Sequence, residues 1–241
     1  MSSNDIYDPA FVKDVFDRCS EKYILFSTVM SFGFTERWRR QCAERMPAPL
    51  SGGRLCFDLM SGTGEIWPHL LAAHPDTSEI RAVDISSGMH ERALKRIDGT
   101  FGIPISFQCA NVLALELGPD SADMVVSTFG LKTFDAEQHQ ALAGLIAHVL
   151  KPGGSFSLIE ASDPKGWILR PFYAFYLHGV LPWVERLFLR GATDFRMIGR
   201  YTANFVNASG FAQALRDQGL EVEYRKHFFG CASGVSGRKP L

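Results

Sequence analysis

The sequence predicts an α/β fold built on a doubly wound, mostly parallel sheet of seven strands. Three observations carry this prediction. Apolar runs of strand length alternate with helical segments between residues 54 and 161. A glycine turn, Gly62-Thr63-Gly64, follows the first apolar run, and a lone acid, Asp84, ends the second. Because the two lie 84 − 62 = 22 residues apart, the pair indicates a site for a nucleoside-bearing ligand at the carboxyl ends of the strands.

The chain begins with helical sequence. Asp8-Pro9 suits a helix N-cap followed by a first-turn proline, and the helical pattern extends to Met46. A linker rich in proline and glycine, residues 47–53, ends it. We expect residues 1–49 to form a helical cap over the active site and residues 50–241 to form the core, within a single folding unit.

Strands and helices then alternate as parallel sheets require. The expected strands are 54–60, 80–84, 104–109, 122–128 and 154–161, and the expected helices are 65–74, 87–98 and 135–150. An aromatic helical insertion, 165–205, follows the fifth strand on the substrate side. A helix from Ser209 to Gln218 and a hairpin of two strands, near 220–228 and 230–236, complete the chain.

Composition excludes several classes of function. The formal net charge of −1 over 241 residues provides no basic surface for nucleic acid. Five scattered cysteines without ligand spacing indicate reduced thiols, no metal site and a cytoplasmic location. Cys56 and Cys109 fall inside apparent strands, so we expect them in the core. The acids near the N-terminus do not predict a secretory signal. Charged residues and prolines interrupt the apolar stretch Trp167 to Leu189, so it does not predict a membrane span. Peripheral membrane contact and a homodimer stay open.

The glycine turn favours one class of cofactor. A dinucleotide fold needs a third small residue for close packing of helix and strand over the pyrophosphate, but this chain has Trp67 there. S-adenosylmethionine (SAM) has no pyrophosphate and makes no such demand. A nicotinamide-dependent oxidoreductase is therefore the weaker alternative.

Further motifs resemble one family over nearly the whole chain. Lys22-Tyr23, then Met30-Ser31-Phe32-Gly33 and Trp38, resemble the N-terminal signature of the ubiquinone/menaquinone biosynthesis C-methyltransferases (UbiE type), which are class I SAM-dependent methyltransferases with a Rossmann-like fold. Phe129-Gly130-Leu131-Lys132 is similar to the family's FGLR, and the segment 149–154 reads VLKPGG, a turn shared by many class I methyltransferases.

The resemblance implies SAM as methyl donor, S-adenosylhomocysteine as product, and a set of cofactor contacts. The methionine end would meet the loop after the first strand, Asp84 would bind the ribose, and residues after the next strands would meet the adenine and the rest of SAM. The implied cofactor residues are Asp58, Met60, Ser61, Gly62, Thr63, Gly64, Asp84, Ile85, Met89, Asn111, Val112, Thr128 and Phe129.

The chain departs from the family at positions expected near the methyl acceptor. It has Ile24 for the family's Asp, Lys132-Thr133 for Arg-Asn, and Tyr201-Thr202-Ala203-Asn204 in the Ser-Ile-Arg region. These departures leave the identity of the acceptor open. The resemblance and the aromatic segments imply a small lipophilic aromatic or quinone-like acceptor, with C-methylation favoured, in specialised-metabolite or quinone biosynthesis. A non-catalytic module that binds SAM or a lipophile is the alternative. The expected acceptor-binding residues are Phe32, Phe34, Trp38, Tyr173, Tyr176 and Tyr201.

Three residues are candidates for catalysis. Lys132 stands at the position of the FGLR arginine, where a cation would favour a phenolate acceptor. Histidine side chains ordinarily titrate near neutral pH, and His178 lies in the aromatic insertion. Tyr23 lies in the N-terminal cap.

Overall fold

The computed structural model describes residues 5–21, 23–50, 55–97, 101–180 and 195–241. Within these ranges seven strands form one sheet in the order β3-β2-β1-β4-β5-β7-β6. Their bounds are β1 Leu55–Leu59, β2 Glu79–Asp84, β3 Ile105–Cys109, β4 Ala122–Thr128, β5 Leu150–Ala161, β6 Glu221–His227 and β7 Ala232–Arg238. The predicted fold class, a Rossmann-like α/β fold, is confirmed.

Five parallel strands and one antiparallel hairpin make up the sheet. β1 pairs with β2 on one side and β4 on the other, so the strand order reverses between β1 and β4. β7 lies antiparallel between β5 and β6, and Ser236 is in register with both Ser157 and Glu223. The reversal point opens a crevice beyond the carboxyl ends of β1 and β4, where doubly wound sheets bind ligands.

Helices cover both faces of the sheet. Their bounds are α1 Pro9–Cys19, α2 Tyr23–Met30, α3 Phe34–Arg45, α4 Trp67–Ala73, α5 Ser87–Ile97, α6 Ala136–Val149, α7 Arg170–Phe175, α8 Phe195–Phe205 and α9 Ser209–Asp217. One core cluster joins α6 and α9 to the sheet, and a second joins α3, α4 and α5 to the opposite face. Successive β1 residues, Cys56 and Phe57, enter different clusters because side chains alternate along a strand.

The N-terminal helical segment is broken into three helices. Asp8 caps α1, since its carboxylate accepts hydrogen bonds from the backbone N–H groups of Ala10 and Phe11 at 3.0 Å. Phe32 and Gly33 both adopt left-handed conformations, with φ of 51° and 76°, and this turn separates α2 from α3. The predicted N-cap is confirmed, and the helical region predicted from Asp8 to Met46 consists of the helices α1, α2 and α3.

Three further predictions need correction. β5 begins at Leu150, not at residue 154, because the KPGG segment is part of the strand. The pairing of β5 with β4 shifts its register between Ala122 and Met124. Helix α4 begins at Trp67, since two successive turns occupy the residues before it. Cys109, which the apolar run suggested was buried, is exposed on the outer strand β3.

The aromatic insertion is described in part. α7 continues into a π-helical turn, Tyr176–Val180, and α8 follows the range 181–194, which lies outside the described residues. In the described part of the chain, no helix is both long and apolar enough to cross a membrane.

Candidate functional site

A crevice opens where the sheet order reverses. Residues from the ends of β1, β2 and β4, and from the loop after β3, line its floor and sides. The predicted cofactor residues that line it are Met60, Ser61, Gly62, Asp84, Ile85, Met89, Asn111, Val112, Thr128 and Phe129. The topology therefore brings together ten residues that are distant in sequence, as expected for a ligand site at a switch point.

The glycine loop is tied to β2. The N–H of Gly62 donates to Asp84 Oδ2 at 2.7 Å, and the N–H of Ser61 donates to the Val83 carbonyl at 2.9 Å. A Cβ at Gly62 would meet nothing within 4 Å, so this backbone faces open space. The N–H groups of Gly64 and Trp67 donate to the carbonyls of Ser61 and Gly64, so these two donors are used within the loop.

Asp84 is the acidic centre of the crevice. Its two carboxylate oxygens accept the N–H of Gly62 and, at 2.9 Å, the N–H of Ser86. Burial raises the pKa of Asp84 to about 6, although these two hydrogen bonds act in the opposite direction. Each carboxylate oxygen keeps a second lone pair, so the group can still accept hydrogen bonds from vicinal hydroxyls.

Three predicted cofactor residues lie behind the loop and do not line the crevice. Asp58 is fully buried, and its Oδ2 accepts the indole N–H of Trp67 at 2.8 Å. Burial raises its pKa well above the usual range. Thr63 is also fully buried and donates to Glu65, while Gly64 packs beneath the Trp67 ring. These three residues shape the loop and do not line the crevice in this structure, so their direct contact with the cofactor stays a prediction.

The Gly64–Trp67 contact leads to a stability prediction. An added Cβ at Gly64 would lie 2.4 Å from the Trp67 ring, at a φ of +77°, so Gly64→Ala is expected to cost about 2–4 kcal/mol of unfolding free energy. Gly102 has a φ of +69° with nothing within 4 Å of an added Cβ. Gly102→Ala is therefore the matched control and is expected to cost about 1 kcal/mol. Equal losses in urea denaturation would contradict the packing argument.

The remaining crevice residues combine apolar contacts with single polar groups. Asn111 accepts the Leu113 N–H through Oδ1 at 3.1 Å, which leaves its amide Nδ2 as the donor available to a ligand. Met60 and Phe129, each just past a strand, have φ of 53° and 65°. Left-handed backbone at non-glycine residues is costly and concentrates at functional sites, which supports a ligand-binding role for this edge.

An ion pair missed by the sequence analysis lies at one end of the crevice. Arg39 of α3 is buried, and its guanidinium lies 3.6 Å from the Glu65 carboxylate and 5.2 Å from the Phe129 ring centroid. Both Arg39 and Glu65 line the crevice. The Nε of Arg39 has no hydrogen-bond partner among the described residues. No local motif marks Arg39, since only the docking of α3 onto the sheet brings it there.

The N-terminal segment forms the outer wall of the crevice. Tyr7, Pro9, Val12 and Phe16 line it from this side. Asp17 holds α1 in place because its carboxylate accepts the Ser86 hydroxyl at 2.6 Å, and the Gly88 N–H at 2.9 Å, at the start of α5.

A second cavity, of about 400 Å³, adjoins the crevice. Tyr23 and Phe129 line both spaces, so these two rings stand at the boundary between them. Five of the six predicted acceptor residues line this aromatic cavity: Phe32, Phe34, Trp38, Tyr173 and Tyr176. Tyr201 does not line it. Its ring is fully buried and its hydroxyl donates to the Ile6 carbonyl at 2.5 Å, so its observed contact is structural.

Lys132 lies in the wall of the aromatic cavity. It is 3% exposed, and its Nζ donates to Glu160 Oε1 at 2.8 Å and to the Phe129 carbonyl at 2.6 Å. Glu160 is fully buried and also accepts the Lys132 backbone N–H through Oε2 at 3.1 Å. The sequence analysis missed Glu160. Its signal was an acid near the carboxyl end of the apolar fifth strand.

The other two catalytic candidates have different outcomes. Burial raises the pKa of Tyr23 far above neutrality, so its hydroxyl keeps its proton and can donate a hydrogen bond but not act as a base. The backbone of His178 lies in the π-helical turn, and its side chain lies outside the described residues.

The crevice has the polar groups that SAM requires. Asp84 offers acceptors for ribose hydroxyls, and Arg39 with Glu65 offers opposite charges for the carboxylate and ammonium of an amino acid. The buried hydroxyl of Ser61 lines the crevice and has no partner among the described residues. A bound ligand can supply that partner, so the residues present fit SAM.

Comparisons with known proteins agree with this geometry. The model of the ubiE/COQ5 methyltransferase family matches residues 2–239. The chain is 27% identical over 232 residues to the ubiquinone/menaquinone biosynthesis C-methyltransferase UbiE of Geobacter sulfurreducens, which covers 95% of this chain and 89% of that protein. It is 30% identical over 230 residues to the UbiE of Syntrophotalea carbinolica, which covers 95% and 94%.

A solved structure shares the fold at lower identity. The phosphoethanolamine N-methyltransferase 2 of Haemonchus contortus, solved with phosphomonomethylethanolamine and S-adenosylhomocysteine, superposes with a TM-score of 0.64 at 16% identity. The match covers 95% of this chain and 60% of that one.

Proposed function

Because the chain belongs to the ubiE/COQ5 methyltransferase family, and is thus a SAM-dependent methyltransferase, we propose that it methylates a ring carbon of a small lipophilic aromatic or quinone-like acceptor. The observation that carries the proposal is the aromatic cavity beside the crevice. Its volume of about 400 Å³ suits a small molecule, and its lining is dominated by aromatic rings. A biosynthetic role in quinone or specialised metabolism follows from an acceptor of this kind.

We propose that the crevice binds SAM in a defined direction. Asp84 accepts the ribose hydroxyls, Ile85 and Met89 flank the adenine, and Arg39 binds the methionine carboxylate. This direction leaves Phe129 and Tyr23 between the donor and the acceptor, since both rings line the two spaces. The helices of residues 1–49 then act as a cap that excludes water from the reaction.

SAM supplies an electrophilic methyl group. A phenol acceptor that has released its proton to solvent before the cap closes carries negative charge on its ortho and para carbons. With SAM bound, one of these carbons would take the methyl group, and S-adenosylhomocysteine would leave with the electron pair of the broken C–S bond. Release of the ring proton from that carbon to solvent would restore the aromatic ring. Lys132 stabilises the phenolate as a buried cation, and two of its three N–H groups are already oriented by Glu160 and the Phe129 carbonyl.

Product analysis tests this function. The purified protein is incubated with SAM and a panel of hydroxylated benzenes, naphthalenes, hydroquinones and quinolones. S-adenosylhomocysteine release is measured by mass spectrometry, and NMR of the product assigns the methylated atom. A C-methyl product supports the proposal, whereas exclusive O- or N-methylation, or transfer only to aliphatic amines, contradicts it.

The pKa of Asp84 leads to a pH prediction. The ribose hydroxyls need an ionised acceptor, so protonation of Asp84 competes with SAM binding. As the pH falls below about 6, SAM affinity is expected to fall by a factor approaching 10 per pH unit. Calorimetry between about pH 5 and pH 8 measures this dependence. In a plot of SAM affinity against pH, the change of slope near the pKa of Asp84 is expected to disappear in Asp84→Asn. A change of slope that persists in this variant would assign the titration to another group.

A further inference from the structure

A strained turn between β6 and β7 displays two aromatic rings. Phe228 and Phe229 are consecutive non-glycine residues with positive φ, 42° and 56°. Their side chains are 44% and 68% exposed. Bulky residues avoid this conformation, and large apolar side chains normally avoid water, so the turn carries two unfavourable features at once. Strain of this kind persists where the displayed groups have a function.

Neighbouring aromatic residues hold the turn in this position. Trp167 stacks on Phe229, with 5.3 Å between the ring centroids and 2° between the ring planes. The ring centroids of Phe34 and Phe228 lie 4.2 Å apart. Ile168, next to Trp167, is 87% exposed. Together, Trp167, Ile168, Phe228 and Phe229 form a protruding apolar tip, which we call the aromatic tip.

A cationic cavity of about 330 Å³ lies beside the aromatic tip. Phe34 and Phe228, which also line the aromatic cavity, are part of its lining. The lining also includes the cations Arg37, Arg45, Arg225 and Lys226. No aspartate or glutamate is found among the described residues that line it. Glu223 pairs with Arg225 from outside the lining, yet the Arg225 Nε is buried without a partner in the described part of the chain.

The positive charge of this cavity affects its one histidine. Burial, and the nearby charges of Arg45 and Arg225, lower the pKa of His227. His227 is therefore neutral at pH 7, and the Arg and Lys side chains carry the charge of the cavity. Apolar rings beside several cations suit the surface of an anionic membrane. The rings can enter the boundary between headgroups and acyl chains, and the cations can bind the lipid phosphates.

We propose that the aromatic tip and the cationic cavity form a docking surface for a bilayer that contains anionic phospholipids. Phe228 and Phe229 insert among the acyl chains near the headgroups, while Arg37, Arg45, Arg225 and Lys226 bind the phosphates. Charge complementarity selects this occupant over an apolar protein surface, which would not repay the desolvation of four cations.

Docking in this way would bring the aromatic cavity to the lipid. Phe228 lines both cavities, and the exposed residues Phe32 and Phe172 line the aromatic cavity as well. A lipophilic acceptor dissolved in the bilayer then reaches Lys132 without crossing water. This last step rests on the proposed function, whereas membrane binding itself does not.

Vesicle co-sedimentation of the full chain tests the proposal. The expected result is binding to vesicles of phosphatidylcholine and phosphatidylglycerol in equal parts, little binding to phosphatidylcholine alone, and weaker binding at high salt. Phe229→Ser and Lys226→Gln are each expected to weaken binding about fivefold. Leu94→Ser and Lys95→Gln, at exposed positions of α5 near the other edge of the sheet, are matched controls expected to bind as the unmodified chain does.

The outcomes separate this proposal from the function. Absence of binding to anionic vesicles, or equal effects of the tip and control variants, would overturn it. Stabilisation of the fold by inorganic phosphate without vesicle binding would also overturn it and indicate a small-anion site. Because methyl transfer is measured by product analysis without lipid, a failure of the proposed function would show there and not in the vesicle assay.

Discussion

Asp84→Ala is expected to weaken SAM binding by a factor on the order of 100 or more. The carboxylate is the acidic centre of the crevice, and hydrogen bonds to a charged acceptor contribute about 1.5–3 kcal/mol each. Two ribose hydroxyls lose their acceptor, and the Gly62 and Ser86 N–H groups, 2.7 and 2.9 Å from the carboxylate, lose theirs. The glycine loop is therefore released as well. Isothermal titration calorimetry measures the loss.

Two controls separate binding from folding. Glu79→Ala removes an acid on the same strand whose observed partner is the exposed Arg81, so it is expected to leave SAM affinity unchanged. Asp84→Asn keeps one acceptor oxygen and tests whether the negative charge itself is needed. If Asp84→Ala binds SAM within about threefold of the original affinity, below 1 kcal/mol, while remaining folded, the ribose assignment is wrong.

Neutralising the buried Lys132–Glu160 pair is expected to lower kcat by a factor on the order of 100–1,000 while the Kd for SAM changes little. The double variant Lys132→Met with Glu160→Gln removes both charges together. A single Lys132→Met would leave Glu160 buried without its cation, which costs about 3–5 kcal/mol and would confuse activity with stability. Initial rates with the best acceptor, together with SAM calorimetry, measure the two effects.

A second ion pair provides the matched control. Lys151 and Asp123 lie 3.0 Å apart, Asp123 is buried, and neither lines the two cavities. The double variant Lys151→Met with Asp123→Asn is expected to lower stability but not kcat. The single variant Lys132→Arg keeps a cation at this position and is expected to retain part of the activity that the Lys132/Glu160 double variant loses. Full activity in the Lys132/Glu160 double variant would remove Lys132 from the mechanism.

The sequence predicted many of the residues that line the crevice and the aromatic cavity, but not Arg39 or Glu160, for a physical reason. Gly62 and Asp84 lie beside strand ends, and parallel strands bring those ends to one edge whatever the helices do. Arg39 reaches the crevice because α3 docks onto the sheet. Glu160 meets Lys132, which lies 28 residues earlier in the chain, only when the fold brings the two together. No local motif marks Arg39, and the acid at the end of the fifth strand does not by itself show that Glu160 pairs with Lys132.

Asp58 and Tyr201 show what motif position leaves open. Both stand where a binding role was expected, yet Asp58 Oδ2 accepts the Trp67 indole N–H and the Tyr201 hydroxyl donates to the Ile6 carbonyl, inside the protein. Asp58 Oδ1 has no partner among the described residues. Residue spacing identifies which side chains come close to a site. It does not decide whether a side chain faces the ligand or the core behind it.

The sequence by itself determined the α/β class, the order of strands and helices, the glycine loop with its acid, and the family. Those features depend on local periodicity and on short motifs near strand ends, which are written in neighbouring residues. Only the tertiary structure decided that Tyr23 and Phe129 stand between two cavities, that Glu160 orients Lys132, and that Phe228 and Phe229 protrude beside four cations. Each of these depends on the packing of segments distant in the chain, and packing is a property of the whole fold.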